Sequence, residues 1–328
     1  MGNMNDSQNG SSFRGDEMKG YIGVDLGGTK ISGILLDASG EKLAAALVPT
    51  KAEAGRDTVE KQLFLLIDQI IEKAQEKKMD VIGIGVGVPG AVEQATGVLV
   101  YAANLPLRKY PFVEILKARY ALPIILENDA AAAAWAEYKF GSGQGSNTML
   151  FVTASTGIGA GAVINGALYT GSTGSAFELG HITIKKDGLA CGCGNRGCAE
   201  LYASGSALAR IAKEKIACGE MTALKGQKIT AEAVFMAAAA GDRLSEAIVK
   251  QALEDLGTCV SVAAALLDPD IIVIGGGMSQ AGDRVWRVVE AALKEKCLPT
   301  VAEHVKVVPS ALKSEAGVYG AAALFMKK

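Results

Sequence analysis

The alternation of apolar and polar residues predicts an α/β chain. Short β-rich runs at Tyr21–Leu26, Lys30–Leu36 and Lys42–Val48 are separated by glycine-containing turns, which is typical of a three-stranded antiparallel meander. Between Asp57 and Glu76 the apolar residues fall on one face of a helix. Val81–Val88 is almost wholly apolar, which indicates a strand that is buried on both faces.

The order of strand, glycine turn and strand returns in the second half of the chain. Thr148–Ala154 and Ala160–Asn165 are predicted strands around a Gly-rich turn, and Asn165-Gly166 is a strong hairpin signal. An alanine-rich helix at Ala130–Phe140 separates the two halves, so the break between them lies near Asp129. The other predicted elements are strands at 123–126, 167–169, 270–274 and 305–308, helices at 115–120, 246–267 and 284–296, and an amphipathic closing helix at 316–326.

Composition narrows the class of protein. The 328 residues suffice for two domains, and 49% hydrophobic with 21% charged residues is the balance of a well-packed domain. The net charge of −2 provides no broad basic surface for nucleic acid or an anionic membrane. Residues 1–19 are polar and contain no signal sequence, so we expect a disordered tail on a cytoplasmic protein without a membrane span.

Two glycine-containing turns are candidate phosphate sites. The first has the sequence Asp25-Leu-Gly-Gly-Thr-Lys30 and the second Ser155-Thr-Gly-Ile-Gly159. Glycine lets the backbone approach an anion, Thr and Lys add a hydroxyl and a charge, and a carboxylate such as Asp25 can hold Mg²⁺ through water. A plain hairpin turn explains either motif alone, but the repeat favours phosphate binding. The candidate phosphate-binding residues of these turns are Asp25, Gly27, Gly28, Thr29, Lys30, Ser155, Thr156 and Gly157.

The sequence Glu127-Asn128-Asp129 stands between a predicted buried strand and the alanine-rich helix. Ligands gather at the carboxyl ends of strands in α/β folds, which favours Asp129 as a functional residue. In phosphoryl transfer to an alcohol, an Asp accepts the hydroxyl proton. The alternative interpretation is that Asn128 or Asp129 merely caps the helix.

The most specific motif is His181-x9-Cys191-x-Cys193-x4-Cys198. In a cytoplasmic protein, cysteines are expected as thiols or metal ligands. A set of three Cys and one His is a closed zinc site without an open position for catalysis. We therefore predict that these four residues bind a structural Zn²⁺, with a group of unbound thiols as the alternative.

Further candidates come from the neighbouring sequence. Glu178 and Glu200 flank the cysteine loop, so a zinc ion that orders the loop would also direct both carboxylates to substrate hydroxyls; exposed surface charges are the alternative. Gly275-Gly-Gly277 follows a buried strand and suits a nucleotide base or ribose, although a glycine helix cap fits as well. Gly87-Val-Pro-Gly90 ends another predicted buried strand and is either a plain turn or one wall of a sugar site, and Asn104 is a further candidate for hydroxyl contact.

Together these motifs resemble those of the ROK family (repressor, open reading frame, kinase), and within it the bacterial glucokinase type. The likeness runs from about Tyr21 to Met326. It includes both phosphate turns, the Asn128-Asp129 pair, the Glu-x-Gly-His signature that begins at Glu178, the cysteine loop and the three-glycine turn.

The resemblance implies a duplicated actin-like ATPase fold of the ribonuclease H-like class, with two domains around a cleft. The smaller domain would comprise residues 20–129 and 313–328, and the larger domain, with its zinc loop, residues 130–312. Asp129 would be the catalytic base for the 6-hydroxyl of glucose, and a homodimer or homotetramer is expected. The sugar would be held by Gly90, Asn104, Asn128, Asp129, Glu178, His181 and Glu200, and ATP with Mg²⁺ by both phosphate turns and by Gly275, Gly276 and Gly277.

Two residues depart from the family pattern. Ser155 replaces a common glycine in the second turn, and Phe177 replaces a small residue before Glu178. Fructose, mannose or an N-acetylhexosamine is therefore an alternative acceptor, since pocket shape separates such isomers by only a few kcal/mol. ROK repressors carry an N-terminal helix-turn-helix domain, for which about 20 polar residues are too few. A sugar-responsive regulator without catalysis is the third alternative.

Overall fold

The computed structural model describes residues 19–326, and the rest of the predicted tail lies outside these residues. The strands are β1 (Lys19–Leu26), β2 (Lys30–Leu36), β3 (Lys42–Pro49), β4 (Asp80–Val88), β5 (Ala91–Glu93), β6 (Val98–Tyr101), β7 (Arg108–Tyr110), β8 (Ile124–Asn128), β9 (Thr148–Ala154), β10 (Ile158–Ile164), β11 (Ala167–Tyr169), β12 (Ile271–Gly275) and β13 (Lys306–Pro309). The α-helices are α1 (Arg56–Glu76), α2 (Phe112–Tyr120), α3 (Asp129–Phe140), α4 (Glu200–Ala203), α5 (Gly205–Ala217), α6 (Ala231–Ala239), α7 (Arg243–Leu267), α8 (Arg284–Lys296), α9 (Pro299–His304) and α10 (Ala316–Ala323).

Two five-stranded sheets repeat one topology. Their strand orders are β3-β2-β1-β4-β8 and β11-β10-β9-β12-β13. In each sheet three strands form an antiparallel meander and two further strands add in parallel. The predicted duplication is therefore confirmed, and it gives the turns β1–β2 and β9–β10 equivalent places in the two halves.

The apolar patterns decide which faces are buried. Helix α1 packs on β2 and β3. Its buried residues are those of the predicted face: Val59, Leu63, Leu66, Ile67, Ile70 and Ala74. At the β10–β11 hairpin, Asn165 and Gly166 have φ of 52° and 71°, as a type I′ turn requires.

Helices α3 and α10 lie between the two sheets. Helix α10 packs on β1, β4 and α3, and α3 packs on β9 and β10. Gly23 and Gly85 bring the first sheet so close to α10 that a Cβ at either position would meet the carbonyls of Val318 and Ala321. The prediction of an amphipathic closing helix is wrong for this reason: α10 ends at Ala323 and is buried on most of its surface.

Several elements were not predicted from the sequence. They include a small sheet of order β5-β6-β7 and the helices α5 and α6. Strands of three or four residues are too short for a two-residue period to be recognised. Within residues 19–326, no helix combines the length and apolar character that a membrane crossing demands.

Candidate active site

The first predicted phosphate turn joins β1 to β2. The Gly27 N–H donates to the Lys30 carbonyl at 3.0 Å. Thr50, which the sequence analysis did not single out, is fully buried at the end of β3. Its hydroxyl donates to the Gly27 carbonyl at 2.6 Å and its N–H to the Thr29 carbonyl at 3.0 Å. Thr50 thus anchors the turn through the carbonyls of Gly27 and Thr29, while the side chains of Thr29 and Lys30 are exposed.

Asp25 and Asn104 lie beside this turn. Burial raises the pKa of the Asp25 carboxyl, and the Lys30 charge partly offsets that effect. A Cβ added to Gly317, in the first turn of α10, would lie 3.0 Å from the Asp25 carboxylate. A Cβ added to Gly28 would lie 3.0 Å from the Cβ of Asn104. Asn104 therefore reaches the phosphate turn, although it is remote in sequence.

The second predicted phosphate turn joins β9 to β10 and is held by the start of α5. The Ser155 N–H donates to the Gly157 carbonyl at 2.9 Å. In addition, the Gly205 N–H donates to the Ser155 carbonyl at 2.7 Å, and the Ser206 N–H donates to the Thr156 carbonyl at 3.1 Å. The carbonyl groups of Ser155, Thr156 and Gly157 therefore all accept hydrogen bonds from backbone N–H groups.

The three-glycine turn packs directly on the second phosphate turn. Gly276 has φ of 85° and leaves no room for a Cβ beside the Ala154 carbonyl. The Ser155 hydroxyl lies 3.7 Å from the position of a Cβ on Gly277. Gly277 begins a short 3-10 helix that ends at Ala281, so α8 does not follow the glycines directly. The candidate phosphate and adenosine residues are therefore contiguous.

Asn128 caps helix α3. Its Oδ1 accepts from the N–H groups of Ala130 and Ala131 at 2.9 and 3.1 Å, and its Nδ2 donates to the Gly90 carbonyl at 3.1 Å. The capping interpretation is thus correct for Asn128. One Nδ2 hydrogen is left over for a ligand.

Asp129 is the first residue of α3 and uses one carboxylate oxygen locally. Its Oδ1 accepts from the Ala130 N–H at 2.8 Å. Burial raises its pKa to about 7, the Asp25 and Glu178 charges add to the rise, and the Ala130 hydrogen bond opposes it. A carboxyl with this pKa is matched to proton transfer at neutral pH.

Glu200 contacts the second turn, and Glu178 lies close enough to Glu200 to sense its charge. Glu200 begins α4, its Oε2 accepts from the Ile158 N–H at 2.9 Å, and the same oxygen contacts Gly157. Glu178 is exposed, as the surface-charge alternative requires. Partial desolvation nevertheless raises the pKa of its carboxyl, His181 lowers it, and the Glu200 charge raises it. These effects place Glu178, His181 and Glu200 within electrostatic reach of one another.

The His181, Cys191, Cys193 and Cys198 side chains form one cluster. Their ligand atoms all lie within 4.8 Å of one another. The His181 Nδ1 is 3.7 Å from the Cys191 Sγ, and the Cys193 and Cys198 Sγ atoms are 3.6 Å apart. Zinc–sulfur bonds of about 2.3 Å in a tetrahedron separate the sulfurs by about 3.8 Å, so the donor set fits a metal ion.

The loop that carries the cysteines has two anchors that no motif indicated. The Lys185 Nζ pairs with the Asp255 carboxylate of α7 at 2.9 Å and lies 4.2 Å from the Tyr202 ring centre. The Tyr202 hydroxyl accepts from the Leu189 N–H at 2.6 Å. Together they join the loop to α4 and α7.

The duplicated sheets, the paired turns and the Cys/His cluster agree with one sequence family. The ROK family profile matches residues 21–328. The chain belongs to the ROK family. Among curated ROK relatives, the glucokinase of Halalkalibacterium halodurans is 37% identical over 92% of this chain and 93% of its own length.

Solved structures of ROK proteins confirm the predicted duplicated actin-like ATPase fold. A ROK family glucokinase from Streptomyces griseus, in complex with glucose and AMPPNP, has a TM-score of 0.79 at 32% identity over 93% of this chain and 98% of that chain. A ROK family transcriptional regulator, a homologue of the Escherichia coli MLC protein, has a TM-score of 0.84 at 28% identity over 94% of this chain and 78% of that chain. The fold is therefore shared by proteins described as kinases and as regulators.

Proposed function

We propose that this chain is an ATP-dependent hexose kinase that phosphorylates the 6-hydroxyl of glucose. The observation that carries the proposal is the carboxyl of Asp129 at the start of α3, whose pKa is raised to about 7 by burial and by the charges of Asp25 in the first phosphate turn and of Glu178. The glucokinase relatives, similar over most of the chain, support the same acceptor.

In the proposed reaction, the free oxygen of Asp129 accepts the proton of the 6-hydroxyl. That hydroxyl oxygen attacks the γ-phosphorus of ATP, the bond to the β,γ-bridging oxygen breaks, and ADP leaves. Backbone N–H groups of both turns and the Lys30 ammonium would stabilise the charge on the phosphoryl oxygens. The Gly275–Gly277 turn would hold the adenosine.

The sugar would lie between the two halves. Glu178 and the remaining oxygen of Glu200 are acceptors for hydroxyl groups, and Asn104 and Gly90 approach from the first half. Binding of a metal through Nδ1 would leave the His181 Nε2 for a sugar hydroxyl. We also propose that residues 20–129 with 313–328, and residues 130–312, form the domains around this cleft.

Two metal ions belong to the proposal. Asp25 would hold Mg²⁺ through water, and Mg²⁺ supplies charge neutralisation for the ATP phosphates. His181, Cys191, Cys193 and Cys198 would hold a structural Zn²⁺. Four protein ligands leave that ion no open position, so it orders the loop around Glu178 and Glu200.

An ADP-release assay with glucose, fructose, mannose and N-acetylhexosamines tests this function. We expect the highest kcat/KM with glucose, and a higher value with another hexose would reassign the acceptor. Absence of ADP release with every sugar would overturn the kinase. The likeness to a ROK regulator would then favour a sugar-responsive regulator without catalysis.

Our predictions of a homodimer or homotetramer and of a cytoplasmic location are separate from this test.

A further inference from the structure

Gln94 contacts strand β8, which ends at Asn128, one residue before the proposed base Asp129. It lies in the loop between β5 and β6, and its Nε2 donates to the Oε2 of Glu127. Glu127 is only 3% exposed, and its Oε1 accepts from the Asn128 N–H at 2.8 Å. Gln94 thus binds a buried carboxylate whose other oxygen holds the backbone next to Asp129.

The same glutamine lies beside a loop from the other half of the molecule. The loop 170–177 follows β11 and leads directly into Glu178. A Cβ added to Gly174 in this loop would lie 2.6 Å from the Val92 carbonyl and 3.5 Å from the Gln94 Cγ. Gly174 has φ of 80°, so the contact uses a conformation that glycine adopts readily.

We propose that Gln94 is a positioning residue that aligns Asp129 with the loop that carries Glu178. The inference rests on the proposed function, because Asp129 must meet one sugar hydroxyl while Glu178 holds others. A misplacement of about 1 Å between such groups costs about a hundredfold in rate. Gln94 binds Glu127 and lies beside Gly174 of the loop that leads to Glu178, and it touches neither ATP nor the sugar in this role.

The first test removes the hydrogen bond between Gln94 and Glu127 and then restores it with donor and acceptor exchanged. The Gln94 side chain is largely exposed, so Gln94→Leu should leave the fold intact. We expect kcat to fall about tenfold while KM for ATP stays unchanged. In Q94E/E127Q the new amide at position 127 can donate to the new carboxylate and still accept from the Asn128 N–H, so kcat should recover.

The second test uses two glycines of matched conformation. Gly174 and Gly226 have φ of 80° and 82°, but only Gly174 has neighbours within 4 Å of an added Cβ. Gly174→Ala and Gly226→Ala therefore introduce similar backbone strain. We expect G174A to lower kcat as Gln94→Leu does and G226A to leave kcat unchanged, with thermal melting used to verify folding.

The outcomes separate this inference from the proposed function. A wild-type protein that phosphorylates no hexose would overturn the proposed function and this inference with it. If the wild type is active and Gln94→Leu keeps full kcat, the positioning role alone is wrong. The role is also wrong if Q94E/E127Q is no more active than Gln94→Leu, since the restored hydrogen bond would then have no effect on catalysis.

Discussion

The Ser310 hydroxyl donates to the Glu137 carboxylate at 2.5 Å. This bond joins helix α3, which carries Glu137, to the segment between β13 and α10, which carries Ser310. Glu137 is fully buried on α3. Its oxygens also accept from the N–H groups of Ser142, after α3, and Leu312, before α10, each at 2.9 Å. A single carboxylate thus accepts hydrogen bonds from the end of α3 and from the segment that precedes α10.

This arrangement makes stability sensitive to Glu137. In Glu137→Gln, the new NH₂ group would face backbone N–H donors, and buried donors would lose their acceptor. We expect the free energy of unfolding to fall by about 2–3 kcal/mol, measured by urea titration. Glu214→Gln is the control, because Glu214 lies in an exposed ion pair, and it should change stability by less than about 1 kcal/mol. Equal effects of the two substitutions would refute the anchoring role.

The pH dependence of the rate should report Asp129. Its base form is the deprotonated one and its pKa is raised to about 7, so kcat/KM for the sugar should rise with pH and level off above that value. Asp129→Asn should lower kcat by about 10²–10⁴-fold. Burial also raises the pKa of Glu127 to about 7. Glu127→Gln distinguishes the two groups. If kcat/KM in this variant no longer falls as the pH is lowered below about 7, the fall is caused by Glu127 and not by Asp129.

The hydroxyl of Thr50 should matter for ATP. Thr50→Val removes the bond to the Gly27 carbonyl but keeps the backbone bond to Thr29. A buried carbonyl without its partner costs about 1–3 kcal/mol, so we expect KM for ATP to rise about tenfold. KM for the sugar should change little. Thr50→Ser retains a hydroxyl and should behave as the wild type; an equal defect in that variant would contradict the argument.

Metal removal should affect the sugar more than ATP. Purified protein should contain about one zinc per chain by elemental analysis. Cys193→Ser should lower the zinc content and raise KM for the sugar, because the loop around Glu178 and Glu200 is no longer ordered by the metal ion. Cys218→Ser is the control, since Cys218 is exposed and lies outside the cluster. A zinc-free wild type with full activity would refute the structural role.

Phe177 is expected to influence the acceptor. Its φ of 61° is rarely adopted by a residue with a side chain, and its ring contacts the Tyr169 ring edge-on at 6.0 Å. Phe177→Gly relieves the strain and removes the ring next to Glu178. We expect the ratio of kcat/KM values among hexoses to change, with KM for ATP unchanged. Tyr169→Phe keeps the ring contact and should preserve the ratio; unchanged ratios in Phe177→Gly would exclude a role in specificity.

Local patterns predicted much of this molecule. The apolar face from Val59 to Ala74 predicted the buried side of α1, since helical spacing alone decides which side chains share a face. The Asn165-Gly166 turn was equally predictable, because both residues accept positive φ. The Cys/His spacing predicted a cluster whose atoms do lie close together.

The parts that were not predicted depend on partners far apart in the chain. The carboxylate of Glu137 in an alanine-rich helix was a visible signal, but Ser310 carries no motif that would identify its partner. Thr50 and Gln94 are ordinary polar residues in the sequence, and only the fold places them on Gly27 and Glu127.

The sequence by itself determined the strands of the two five-stranded sheets, several helices, the paired glycine turns and the candidate ligands, because each follows from spacing within a few residues. Only the tertiary structure decided that α10 is buried between two sheets and that Asn128 is a helix cap with a second bond to Gly90. It also decided that Asp129 has a raised pKa, since burial and the charges of Asp25 and Glu178 act through space. These properties come from groups that are distant in the chain, which no local pattern records.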